Sequence, residues 1–194
     1  VDERDVSPDH FYLARHLHVA SPYLLRGLRP YMPEMMRLAR SAGMTVSLDT
    51  NWDPAQQWVT DDLLQDLDVF LPNEQELCAI AGIADVEQAL QAMAARVPLV
   101  VVKRGGRGAT ALRGDERVDV PAGDVEVVDT TGAGDVFGAG FLAGWLNGLS
   151  LRSCALLASA CGSLSTRTPG GFRGQPTWDE AAEFLRGSVG EELA

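Results

Sequence analysis

The chain has 194 residues, 46% of them apolar and 22% charged, a balance that fits one globular domain with room for a sizeable core. Its formal net charge of -11 sets an acidic surface against phosphodiester backbones. That argues against nucleic acid as a partner but leaves open a small phosphate ligand held by backbone amides and a metal ion. No apolar run reaches the roughly 20 residues that a bilayer span needs, and the opening VDERDVSPDH has no signal-peptide character, so no membrane partner is expected.

In chain order, LHVAS (17–21) reads as a strand and PEMMRLARSAG (33–43) as a helix capped by Gly43. TVSLD (45–49) is a second strand, DDLLQDL (61–67) a short helix and DVFLPN (68–73) a third strand. NEQELCAIAG (73–82) begins like a capped helix, and VEQALQAMAARV (86–97) is amphipathic at helical spacing. PLVVVKR (98–104) is a near-continuous apolar run, the type buried on both faces of a parallel sheet. GATALRG and ERVDVPA form a hairpin pair around Gly114-Asp115. After VEVVD (125–129) come helices near 133–147, 151–166 and 177–187. Strands alternating with helices predict an α/β fold, a three-layer αβα arrangement with a mainly parallel sheet, as a single domain over 1–194.

Cys78, Cys154 and Cys161 form no CxxC pair, and the last two share one apolar helix face. Reduced core thiols in a cytoplasmic protein are the simplest account. His16 and His18 flank Leu17 as on a strand face, and neither they nor His10 have metal-ligand spacing.

Ligands of open parallel sheets bind beyond the carboxyl ends of the strands. Polar clusters stand at four such ends here: DTN after TVSL, NEQE after DVFLP, RGGRG after LVVVK and DTTGAGD after VEVV. In the last, Gly132, Ala133 and Gly134 have almost no side chain, so an anion can approach their amides, and the helix that follows adds its positive end. Asp135 in the first turn is either a helix-dipole partner or a base accepting a proton from an attacking hydroxyl. Gly138, Gly140 and Gly144 read as close-packing positions. Gly132, Gly134 and Gly138 also spell GxGxxxG, close to a dinucleotide fingerprint. The acid that such a fingerprint requires about 20 residues on is missing from LNGLSLR, and Asp135 would repel a pyrophosphate, so that reading fails.

DTTGAGD (129–135) resembles the DTxGAGD signature of the ribokinase-like, or PfkB, carbohydrate kinases at all fixed positions. Asn73 and Glu76 match the family's NxxE motif, VVKRGGRGA (101–109) resembles its VKxGxxGA segment, and LLASACGSLSTRTPGG is similar to its small-residue helix. The likeness runs from about Leu17 to the C-terminus, with the motifs in order and register. It implies ATP-dependent phosphoryl transfer to a sugar-like hydroxyl, with ATP and Mg²⁺ as cofactors. It further implies that Asp135 is the general base and that Gly132, Ala133 and Gly134 form the anion hole for the group in transit. Glu76 is implied to position Mg²⁺ through water, Asn73 to lie near the phosphates, and Lys103, Gly105 and Gly108 to meet the nucleotide. Ala160, Gly162 and Ser163 are implied to leave room for adenine. Asp129 and Thr131 match positions whose carbonyls hold a monovalent cation such as K⁺, with Thr177 as a third member after the poorly aligned GGFRGQPT.

Two departures stand out. Where many relatives read DPNxR, this chain reads Asp49-Thr50-Asn51-Trp52-Asp53, an acid in place of an arginine that can contact substrate or phosphate, which argues against a ketodeoxygluconate kinase. The family's first segment, with its glycine pair and β-lid, has no counterpart before LHVAS. The expectation is therefore a C-terminal portion that binds ATP–Mg²⁺ weakly and transfers poorly by itself, since positioning and water exclusion dominate phosphoryl transfer. A non-catalytic nucleotide-binding or regulatory module is the rival reading, and a nucleoside or vitamin-precursor kinase the alternative within the class. The acceptor and the oligomeric state are not specified by these motifs.

Overall fold

A computed structural model describes residues 2–7 and 9–188. It is an α/β fold with a six-stranded sheet in the order β1-β2-β3-β4-β5-β6, the strands being β1 (His16–Ala20), β2 (Thr45–Asp49), β3 (Val69–Phe70), β4 (Leu99–Lys103), β5 (Ala109–Arg113) and β6 (Glu116–Val120). Among the described residues eight α-helices accompany them: α1 (His10–Leu13), α2 (Met32–Ser41), α3 (Asp61–Leu64), α4 (Glu74–Ala81), α5 (Val86–Ala94), α6 (Ala133–Leu146), α7 (Leu151–Ser165) and α8 (Trp178–Ser188). Among the described residues no single helix is long and apolar enough to cross a membrane. The chain divides into two compact units, one of residues up to Val102 with Leu112–Asp115, the other of Lys103–Ala111 with the residues from Glu116 on.

In the first unit β1, β2, β3 and β4 pair in parallel, with Leu17 opposite Val46, Leu48 opposite Phe70 and Val69 opposite Leu99. Val46, Leu48, Phe70 and Val100 are fully buried, together with Met36 and Ala39 of α2, Leu63 of α3 and Leu77 of α4. Each such side chain contributes about 1.5–3 kcal/mol. The run DVFLPN shortens to two strand residues because Pro72 has no amide and Asn73 turns into a helix cap; Leu71 still donates to Leu48 O at 2.9 Å. Helix α3 stops at Leu64, because Leu67 is buried and the Asp68 amide is drawn to Val46 O at 2.9 Å.

In the second unit α6 and α7 pack closely. A Cβ on Gly140 would lie 2.9 Å from Cys161 Sγ, and one on Gly144 would lie 3.3 Å from Cys154 Sγ, so these glycines are packing positions as expected. The three cysteines are free, and burial pushes the Cys161 thiol up to about 11. One expected strand is absent. VEVV runs without a strand partner, leaving Val127 and Val128 exposed, because the Val128 and Asp129 amides donate to Thr166 O at 2.8 and 3.0 Å, at the end of α7. These bonds satisfy a carbonyl beyond the helical ladder and consume the donors that a sheet would use.

The histidines follow the strand face. His16 bonds Thr45 Oγ1 at 2.9 Å and Ser47 Oγ at 2.8 Å, and His18 Nδ1 meets the same Ser47 Oγ at 2.7 Å. Burial first, then the neighbouring His18, lowers His16 from 6.5 to about 4, with Asp68 opposing. The unfolded chain therefore takes up this proton before the folded chain does. Stability should fall as pH drops from about 6.5 toward about 4, and His16→Gln should flatten that part of the curve, as read from urea midpoints across the range.

Candidate active site

Two groups of expected residues gather, one in each unit. In the second unit the glycine loop opens α6. Gly132 has φ +76° and ψ −1°, a left-handed cap without a side-chain hydrogen bond. A Cβ there would come within 2.9 Å of Gly171 Cα and 3.0 Å of Gly171 O, so only glycine fits. Asp129 ties the two loops together: its carboxylate accepts the Thr131 amide at 2.9 Å and the Gly170 amide at 2.9 Å. These amides, Gly170 first, hold its pKa below the usual carboxylate range. The role implied for Asp129 lay in its carbonyl; its side chain is what fixes the loop.

The Ala133 amide turns back onto Thr130 O at 3.2 Å, while Val136 begins the helical ladder on Gly132 O at 3.0 Å. Lys103, at the end of β4, lies over this first turn, with Nζ 3.6 Å from where a Gly134 Cβ would be. A cation and the positive end of a helix thus face the same small-residue loop. Asp135 is exposed in the first turn and borders a cavity of about 330 Å³ walled by Val136, Gly140, Cys161 and Trp178.

The other nucleotide candidates have local duties. Gly105–Arg107 form a 3-10 turn closed by Gly108 N on Gly105 O at 2.9 Å. Gly105 has open space at its Cβ, whereas Gly108, at φ +88°, lies directly against the backbone of Val120, Pro121 and Ala122. Gly162 lets α7 approach Phe137 and Ala133 O of α6, at 3.2 and 3.3 Å from a built Cβ. Ser163 Oγ accepts the Gly123 amide at 2.9 Å, Ser159 donates to Pro121 O at 2.6 Å, and Ala160 is buried. These contacts seat the 121–124 loop on α7. Thr177 caps α8: its amide and hydroxyl donate to Glu180 Oε2 at 2.7 and 2.8 Å and its carbonyl accepts from Ala181.

In the first unit the NxxE motif is a capping box. Asn73 Oδ1 accepts the Glu76 amide at 2.9 Å, while Glu76 accepts from Asn73 N at 2.9 Å and from Nδ2 at 2.6 Å. Glu76 is buried, with both oxygens engaged. A carboxylate has about four lone-pair sites, so contact with a metal-bound water is compatible with this geometry.

The structural role of Asp53 was not legible in the sequence. Asp53, in place of the expected arginine, is buried and accepts the amides of Ala55, Gln57 and Trp58, each at 2.8 Å. Burial raises its pKa, but these amides outweigh burial and hold the carboxyl below its ordinary value. The Asp-Pro-Ala-Gln-Gln run after a strand end was the available signal, an acid placed to close an Asx-type turn.

Comparison with known proteins identifies the family. The family model of the pfkB carbohydrate kinases matches residues 6–178. The 2-dehydro-3-deoxygluconokinase of Bacillus subtilis (strain 168) is 33% identical over 91% of this chain and 58% of its own length. Arabidopsis thaliana ribokinase, solved with ribose and ATP, superposes with a TM-score of 0.80 at 25% identity, covering 96% of this chain and 60% of that one. An E. coli ribokinase II homologue solved with ATP and Mg²⁺ gives a TM-score of 0.86 at 24% identity over 95% and 63% of the two chains, a likeness of fold. The chain belongs to the pfkB family of carbohydrate kinases. It spans about three-fifths of the length of these relatives.

The capping box makes a prediction separable from catalysis. Glu76→Ala should cost about 1–2 kcal/mol by freeing the Asn73 donors, and Glu76→Gln, which can still accept from Asn73 N, less than half of that, as measured by urea unfolding.

Proposed function

We propose that the chain carries the phosphate-donor site and catalytic base of an ATP-dependent kinase acting on a sugar-like hydroxyl. The observation that carries this is the Lys103 ammonium lying over Gly134 at the positive end of α6, one residue from Asp135. An anion lodged there meets the first-turn amides and a cation together, and charge developing on a group in transfer is stabilised by donors already in place. Asp135 accepts the proton of the acceptor hydroxyl. The hydroxyl oxygen bonds to the γ-phosphorus as the bond from that phosphorus to the β–γ bridging oxygen breaks, and ADP leaves with the electron pair. Mg²⁺, when bound, would neutralise phosphate charge. Glu76, set by Asn73 through the capping box, would help to hold it through water. Lys103, Gly105 and the loop on α7 hold the nucleotide, with Ala160, Gly162 and Ser163 behind it. Asp129 and Thr131 fix the loop and supply carbonyls for a monovalent cation.

The test is Asp135→Asn made in the intact protein. Its transfer to a panel of sugars and nucleosides should fall by about 10²–10⁴-fold, with ATP affinity within about threefold of wild type because the cradle is unchanged. Unaltered transfer in Asp135→Asn contradicts the base assignment. ATP–Mg²⁺ binding without transfer to any member of the panel, in the intact wild-type protein, would replace this reading by the nucleotide-binding module.

A further inference from the structure

The second unit holds a cavity that the phosphate-donor reading does not use. It measures about 480 Å³ and lies between the end of α7, the 173–176 segment and the first turns of α8. That volume suits a small metabolite. The end of α7 and the segment after it contribute Arg167, Arg173 and Gln175 to the lining, and α8 contributes Glu180, Glu183 and Phe184.

Arginines elsewhere in this acidic chain find carboxylates. Arg29 pairs with Asp62 at 2.6 Å, Arg40 with Asp68 at 2.8 Å and Arg96 with Asp61 at 2.6 Å. The guanidiniums of Arg167 and Arg173 do not. Among the described residues neither has an ion-pair partner, although two glutamates line the same cavity. Glu180 is committed to its own helix, where its Oε2 accepts the Thr177 amide and hydroxyl. Two guanidiniums on one cavity present donors in the fork geometry that phosphate oxygens accept.

The α8 side has a different chemistry. Glu183 offers acceptors for hydroxyl protons and repels a second anionic group. Phe184 adds an aromatic ring seated against the 121–124 loop, since a Cβ on Gly123 would lie 2.7 Å from it. An anion-binding end, a hydroxyl acceptor and a ring together fit a phosphate monoester of a small polyol. Its phosphate meets the arginines, its C–H groups lie against Phe184, and its hydroxyls donate to Glu183.

The cavity is also connected to the glycine loop. Gln175 Nε2 donates to Gly171 O at 3.3 Å, and that carbonyl stands 3.0 Å from where a Gly132 Cβ would be. Arg167 and Arg173 flank the tip formed by Gly170 and Gly171, which Asp129 and Gly132 meet. The two stems of this loop are closed on each other, because a Cβ on Gly174 would collide with Thr168 Oγ1 and lie 2.7 Å from Ser165 O. A ligand that bridges both arginines restrains the segment that braces Gly132. By linkage, a nucleotide bound at the glycine loop then tightens that ligand by the same factor.

We propose that this cavity is an effector site for a phosphate monoester of a small polyol, held by Arg167 and Arg173, whose occupancy firms the brace behind Gly132. The ligand assignment rests on the cavity alone; the coupling to nucleotide rests on the phosphate-donor reading.

In the intact protein labelled with ¹⁵N, Arg167→Lys and Arg173→Lys assign the two side-chain Nε–Hε signals. Fructose 6-phosphate and glycerol 3-phosphate should move both signals saturably. Inorganic phosphate, which lacks the polyol, and fructose, which lacks the anion, should each bind at least about tenfold more weakly. Arg167→Gln, read at the Arg173 signal, should weaken the esters at least about tenfold, and Arg167→Lys, which keeps the charge, less. No saturable shift at either arginine, or inorganic phosphate binding as tightly as the esters (an adventitious ion only), overturns the proposal. With the esters saturating, ADP–Mg²⁺ affinity should rise about fivefold, and Gln175→Ala should erase that rise. An unchanged nucleotide affinity overturns the coupling. Asp135→Asn should titrate at both arginines as wild type does, so a failure of transfer and a failure of this site are read separately.

Discussion

The candidate site depends on the absence of a side chain at Gly132. Gly171 stands where a Cβ would be, and the Asp129 carboxylate prevents the two loops from separating by holding the Thr131 and Gly170 amides at once. With that approach fixed, Gly132 takes the left-handed conformation that starts α6 without a side-chain cap, and the helix presents its positive end to a loop of minimal bulk. Lys103 reaches the same place from the end of β4. Moving either loop by one methyl group would disturb the turn on which the amides and Asp135 are mounted and over which the Lys103 ammonium lies.

The same economy recurs in the second unit. Gly140, Gly144 and Gly162 bring α6 and α7 to close contact, and Gly108 lets the turn after β4 touch the backbone at 120–122. Ser159 and Ser163 then fasten the next loop to α7. Residues that family resemblance assigns to nucleotide contact are thus also residues that shape the walls. The two roles are compatible, since a ligand approaches backbone most closely where the protein has already excluded its own side chains.

Much of this was legible in the chain. TVSLD gave β2 to the residue, NEQELCAIAG began as a capped helix where α4 lies, and the small residues of 154–163 formed a buried helix. The failures have physical causes. VEVV has strand composition, but its neighbouring amides bond to the end of α7, a tertiary choice that β-propensity does not encode. Glu76 was legible as part of a motif; that both its oxygens are engaged by Asn73 emerged only from the geometry. Asp53 was noticed as a missing arginine, whereas its work of closing the loop that carries Trp52 depends on three amides converging in space. The side-chain role of Asp129 was hidden in the same way, because the Gly170 amide lies 41 residues away.

The central claim is that the loop from Gly132 to Gly134, with Lys103, receives the phosphoryl group in transit. A crystal structure with ADP, Mg²⁺ and aluminium fluoride tests it directly, because the fluoride complex mimics that group. The aluminium fluoride is expected against the first-turn amides of α6, within hydrogen-bond distance of Lys103 Nζ and with Asp135 facing its open side. A fluoride complex ordered elsewhere, or a nucleotide whose terminal phosphate lies away from Gly132–Gly134, would contradict it.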